Sequence, residues 1–128
     1  MRLLLDTHVF IWWDSEPAKL SPRVLALCQD RENTLLLSVV SAWEIQVKIQ
    51  LGKLKLHMPL ARLIESQQET NALEVLPITL DHVLALDALP VHHKDPFDRL
   101  LLAQSTVEDV VLVSKDSVFT NYPVKVVW

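Results

Sequence analysis

Residues 2–6, Arg-Leu-Leu-Leu-Asp, form an apolar run that stops abruptly on a carboxylate. A stretch this short and this uniformly aliphatic reads as a strand buried on both faces, not as the alternating pattern of a half-exposed one. Residues 34–38, Thr-Leu-Leu-Leu-Ser, repeat the pattern. Further strands are read at 73–78, 110–114 and 124–127, the last at a sheet edge.

Helices separate these strands. Ser21-Pro22 supplies an N-cap and a first-turn proline, and Val24, Leu25, Leu27 and Cys28 give that helix an apolar face. A second helix opens at Ser41 and runs through Trp43, Ile45, Val47 and Ile49 to a stop at Gly52, the sole glycine. Residues 59–71 read as a third. Thr79 caps a fourth that ends before Pro90, and Asp95-Pro96 opens a fifth that turns Leu100, Leu101, Leu102 and Ala103 inward. Apolar strands alternating with helices specify an α/β fold: a three-layer α/β/α sandwich around a central, mainly parallel sheet. The expected unit is a single domain over 1–128.

At 128 residues, half of them hydrophobic and 22% charged, the chain is long enough to bury a core without metal or disulfide support. Its one cysteine, Cys28, excludes an internal disulfide and a multi-thiolate zinc site, and reads as a buried helix residue. Asp6 cuts the N-terminal apolar run far short of a signal-peptide core, and no later run approaches the ~18 apolar residues of a membrane span. A cytoplasmic location without membrane contact is expected. The formal net charge of −4 argues against a simple nucleic-acid-binding module, whereas a carboxylate cluster loaded with divalent cations reverses the local field.

Ligand sites in open parallel sheets lie beyond the carboxyl ends of the strands. Asp6 ends the first strand there, and Asp116 follows the strand that finishes at Ser114. Glu44 and Asp98 are each expected in the first turn of a helix starting from that side. Four acids at one edge would raise one another's pKa unless a cation compensated them, and magnesium or manganese prefers such oxygen ligands. Ions so held position water and stabilise charge on a scissile phosphate, so phosphodiester hydrolysis suits the set.

Every acid also has a structural explanation. Asp6 is placed to cap a helix following the first strand, and Asp116 to sit in a turn. Ser41-Ala42-Trp43-Glu44 reads as a capping box, and Asp95-Pro96-Phe97-Asp98 as N-cap, first-turn proline and dipole-favoured acid. The argument for chemistry is their coincidence at one edge, not any single residue.

Five segments carry a resemblance that runs nearly end to end: Leu-Leu-Leu-Asp-Thr-His at 3–8, Ser-Val-Val-Ser-Ala-Trp-Glu-Ile at 38–45, Leu-Gly-Lys-Leu at 51–54, Asp-Pro-Phe-Asp-Arg-Leu-Leu-Leu-Ala-Gln at 95–104 and Leu-Val-Ser-Lys-Asp at 112–116. With these the sequence resembles the PIN-domain family, and within it the VapC-type toxins of bacterial toxin–antitoxin pairs. The resemblance implies a metal-dependent endoribonuclease using Mg2+ or Mn2+, with Asp6, Glu44 and Asp98 as core acids and Asp116 as a more variable fourth. It also implies an RNA substrate, a small cognate antitoxin and a homodimer. Asp95 is assigned first to capping and second to metal.

Around these acids, Arg99 and Lys48 are placed to bind phosphate or to pair with the acids, a solvated face being the other reading for Lys48. Thr7 and Ser114 are candidate hydrogen-bond donors to the carboxylates, or simple caps. His92 and His93 read as a solvated loop pair and His8, His57 and His82 as isolated. Trp12, Trp13, Trp43 and Trp128 read as core or interface rather than base-stacking rings. A receiver-type phosphoacceptor domain would need an aspartate where Pro77, Ile78 and Thr79 stand, and a haloacid-dehalogenase-like phosphatase one where His8 stands. The remaining alternative is a non-catalytic PIN-like module that binds RNA or protein.

Overall fold

The structure is a computed structural model that describes residues 1–91 and 95–128. The expectation for His92 and His93 lies outside the described residues. Five strands, β1 (Arg2–Leu5), β2 (Thr34–Ser38), β3 (Glu74–Leu76), β4 (Val111–Val113) and β5 (Val126–Val127), form one sheet in the order β3-β2-β1-β4-β5. Every pairing is parallel. The order reverses at β1, between β2 and β4, so the crevice expected of such sheets opens at the end of β1.

Side-chain alternation along the central strands divides the core in two. Leu3, Leu5, Leu35, Leu37 and Val113 point to one face, where they meet α1 (Thr7–Ser15), α2 (Pro22–Gln29), α3 (Val39–Gln50) and α4 (Leu60–Asn71) through Val9, Phe10, Val24, Cys28, Ile45 and Leu63. Leu4, Leu36 and Leu112 point to the other, against Leu100, Leu101, Leu102 and Ala103 of α6 (Pro96–Glu108), with Phe119 and Tyr122. The short α5 (Leu80–Leu84) packs on α6. The three layers are thus those expected, with a sheet that is wholly parallel. No helix among the described residues is long and apolar enough to cross a membrane.

The local signals are honoured unevenly. The Ser21 hydroxyl caps α2 at Val24 N–H, and Thr79 caps α5 in a capping box completed by His82. Gly52, at φ +70°, ends α3 in a Schellman turn in which Lys53 N–H donates to the Lys48 carbonyl and Gly52 N–H to that of Ile49. Asp6 caps a helix that follows the first strand, as expected, and that helix is the nine-residue α1. One expectation fails. Helix α3 begins at Val39 and not at Ser41, because Ser38 at the end of β2 caps it by accepting from Val40 N–H.

Candidate active site

The end of β1 is locked to its neighbour by Asp6 N–H donating to the Val113 carbonyl at 3.0 Å. The register, continued one residue past β1, places Asp6 beside Ser38, the last residue of β2, and Ser114, just past β4. One Asp6 oxygen, Oδ1, caps α1 through His8 and Val9 N–H at 2.8 and 3.4 Å. The other, Oδ2, accepts from the Ser114 hydroxyl at 2.6 Å. The capping role and a place at the pocket therefore coexist in one side chain.

A cavity of about 410 Å³ opens here, lined by Asp6, Thr7, His8, Val9, Trp12, Glu44, Lys48, Asp95, Asp98, Lys115 and Asp116. All four acids singled out from the sequence, and Asp95 with them, are in this one lining. Asp6 and Glu44 are buried, Asp95 and Asp98 half-buried, and Asp116 exposed. Asp98 stands in the first turn of α6, as expected, while Asp95 Oδ1 caps that helix through Phe97 and Asp98 N–H. Asp116 Oδ1 accepts from Val118 N–H, and its own N–H donates to the Ser114 hydroxyl oxygen.

Glu44 requires a correction. Since α3 starts at Val39, Glu44 lies in its second turn, and the capping box with Ser41 does not form. Instead Thr7 Oγ1 donates to Glu44 Oε1 at 2.7 Å, and Ser41 Oγ lies 2.9 Å from Thr7 Oγ1. A hydroxyl has one proton and a carboxylate none to give, so the Thr7 proton goes to Glu44 and Ser41 is the donor to Thr7. On its other side Glu44 Oε2 is 2.7 Å from the Lys48 ammonium, an i,i+4 ion pair in place of the solvated lysine.

Arg99 is not in the lining. Its guanidinium donates to the carbonyls of Pro90 at 3.0 Å and Leu86 at 3.5 Å, which pins α6 to the turn before it. The tryptophans divide similarly. Trp43 is 54% exposed and meets Phe97 edge-on, whereas Trp12 is half-buried in the pocket wall and packs against Trp128. Cys28 is buried, and burial pushes its thiol up to about 11, which leaves it inert.

The sequence reading passed over a buried polar chain behind the acids. Val40 N–H donates to Ser38 Oγ, whose proton goes to Gln104 Oε1. The Gln104 amide donates to the Pro77 carbonyl at 3.2 Å and faces His82 Nδ1 at 3.3 Å. Thr79 N–H also points at Nδ1, so that nitrogen accepts and Nε2 carries the proton toward Glu108 Oε2 at 2.9 Å. His82 is thus a buried connector, not an isolated residue. Its only sequence signal was the three-residue spacing from Thr79.

Among the described residues of the lining, the donor set suits a hard cation: five carboxylates, with His8 as the imidazole beside them. Among the described residues, no three potential ligands converge on one point as the side chains stand. The bonds above account for that: Glu44 is held by Thr7 and Lys48, and Asp6, Asp95 and Asp116 each turn one oxygen to a helix start. Among the described residues, five carboxylates against two ammonium groups leave the lining strongly negative.

A profile of the PIN domain matches residues 3–125. The chain is similar to the Ribonuclease VapC22 of Mycobacterium tuberculosis, at 31% identity over 117 residues that cover 89% of this chain and 86% of the relative. Two solved structures share the fold. VapBC2 from Rickettsia felis, bound to a DNA fragment from their promoter, superposes with a TM-score of 0.73 at 16% identity, covering 99% of this chain and 98% of that one. VapBC-5 from Mycobacterium tuberculosis, a member of the VapBC family of toxin-antitoxin systems, gives 0.59 at 17% identity, covering 94% and 89%. With its fold, its acid-lined crevice and these likenesses, the chain belongs to the PIN-domain family and, within it, to the VapC type.

Proposed function

We propose that this chain is a metal-dependent endoribonuclease, acting as one domain and as the toxin of a toxin–antitoxin pair in the cytoplasm. The observation that carries this reading is the gathering of Asp6, Glu44, Asp95, Asp98 and Asp116 in one cavity at the switch point of the sheet. Its kinship with a VapC ribonuclease supports RNA as the substrate.

Asp6, Asp98 and Asp116, with Glu44, would hold magnesium or manganese, and Asp95, in the same lining, is a further candidate. Such an ion supplies Lewis-acid stabilisation of charge on the phosphate and lowers the pKa of water. The chain's own part is to hold the oxygens ready. Ser114 fixes one side of Asp6, and Thr7 fixes one oxygen of Glu44, so neither acid must be ordered when the substrate arrives. Lys48 and Lys115, in the same lining, meet the phosphates that the carboxylates would otherwise repel.

A small antitoxin and a second copy of the chain are the proposed protein partners. Val39 and Trp43 on α3 and Leu80, Val83 and Leu84 on α5 are exposed apolar side chains that a partner would cover. The test of function is cleavage of RNA by purified protein in Mg2+ or Mn2+. EDTA should stop it, and Asp6→Asn or Asp98→Asn should remove most of it while the fold survives. Undiminished cutting by both variants would sink the assignment, and RNA binding without cutting would favour the non-catalytic module.

A further inference from the structure

We propose that Lys48 competes with the divalent cation for Glu44, and that the displaced ammonium then anchors a substrate phosphate. This rests on the metal-dependent reading above and deepens it. The ion pair is short, 2.7 Å, and uneven: the Glu44 side chain is 9% exposed and that of Lys48 33%. Glu44 cannot leave easily, because it is buried on α3 and Thr7 holds its Oε1. Lys48 can. Its ammonium ends a flexible four-carbon stem at the pocket wall, and a strongly hydrated point charge moves readily into water or onto an anion.

With Thr7 on one oxygen and Lys48 on the other, neither Glu44 oxygen is without a partner, so a cation drawing on Oε2 must share or replace the ammonium. Removing a partner from a nearly buried carboxylate is costly unless another positive charge takes its place, and a divalent ion does so. The released lysine keeps a favourable setting. It lies in the last turn of α3, whose carbonyl ends favour a cation, and its backbone is fixed by the Schellman turn at Gly52. It therefore remains on the cavity wall with Lys115, where an arriving phosphodiester needs positive charge.

The test uses calorimetric titration of the whole protein with Mn2+ alone, followed by RNA kinetics at saturating Mn2+. Lys48→Met and Lys48→Gln should each tighten Mn2+ binding by about five- to tenfold, since each removes a like charge and frees Oε2. Lys115→Met, which removes a charge from the same wall, should change it less than about twofold. The Lys48 variants should raise KM for RNA by about fivefold or more. Unchanged or weaker Mn2+ binding in both Lys48 variants would overturn the competition, as would equal tightening by Lys115→Met, and an unchanged KM would overturn the anchor. If Asp98→Asn weakens Mn2+ binding while the Lys48 variants do nothing, the metal site stands and only this proposal falls. If the wild type binds no Mn2+, both fall.

Discussion

Ser114 and Asp6, 108 residues apart in the chain, are joined at 2.6 Å between the ends of adjacent parallel strands. Both are buried, and the serine hydroxyl also accepts from Asp116 N–H, so one side chain ties two of the pocket acids together. Loss of a hydrogen bond to a charged, buried acceptor costs about 2 kcal/mol. Ser114→Ala should lower unfolding stability by that amount and reduce RNA cleavage by about ten- to a hundredfold, the range for residues that orient metal-holding side chains. Denaturant titration and kinetics check the two together, and Ser114→Thr, which keeps the hydroxyl, should restore most of the activity.

Gln104 forms a second buried tie. Its side chain is fully buried and serves Ser38, Pro77 and His82 at once, connecting the cap of α3 to α5 and α6. Gln104→Leu leaves the Ser38 hydroxyl proton and the Pro77 carbonyl without their partner, while His82 Nδ1 keeps Thr79 N–H, and should cost roughly 2–4 kcal/mol. A loss below about 1 kcal/mol in urea unfolding would show that the chain of hydrogen bonds is not cooperative.

What could be read in advance follows from how local each cause is. Gly52, Ser21-Pro22, Thr79 and Asp95-Pro96 act within one helical turn, and each does what its neighbours dictate. Helix α3 starts earlier than expected because the Ser41-Ala42-Trp43-Glu44 spacing imitates a capping box, while the deciding cap, Ser38, doubles as a strand residue. Helix α1 escaped delimitation because Thr7–Ser15 is apolar along most of its length and lacks a periodic polar face. At the site, the strand ends and helix starts that carry Asp6, Asp98 and Asp116 were legible from the α/β alternation, while Glu44 falls one turn deeper in α3 than expected. Thr7 and Ser114 were legible as donors to carboxylates, but not which acid each serves: Thr7 with Glu44 and Ser114 with Asp6 are long-range pairings that exist only once the sheet register is set.

Gly52→Ala tests the helix stop. A Cβ at that position meets no atom within 4 Å, so any cost is conformational, from φ +70° alone. Thermal or chemical unfolding should show a loss of about 1 kcal/mol, and Gly52→Asn should lose less, because asparagine tolerates the left-handed region.

Asp14 supplies a pH signature away from the acid pocket. Burial works to raise its carboxyl, but hydrogen bonds from His57, Gln67 and Ser15, with the His57 charge, outweigh burial and hold it below its ordinary value of 3.8. A depressed carboxyl stabilises the fold at pH above its unfolded value, and the contribution disappears as pH falls through the folded one. Stability should therefore decline more steeply below about pH 4 in the wild type than in Asp14→Asn. Melting temperatures across that interval check it, and parallel curves would contradict it.

Diffraction from crystals grown with Mn2+, at the manganese absorption edge, examines the central claim without recourse to activity. The account predicts an anomalous peak in the cavity lined by Asp6, Glu44, Asp98 and Asp116, lost in Asp98→Asn. A cavity without a peak at saturating Mn2+, or manganese held only elsewhere on the surface, would contradict it.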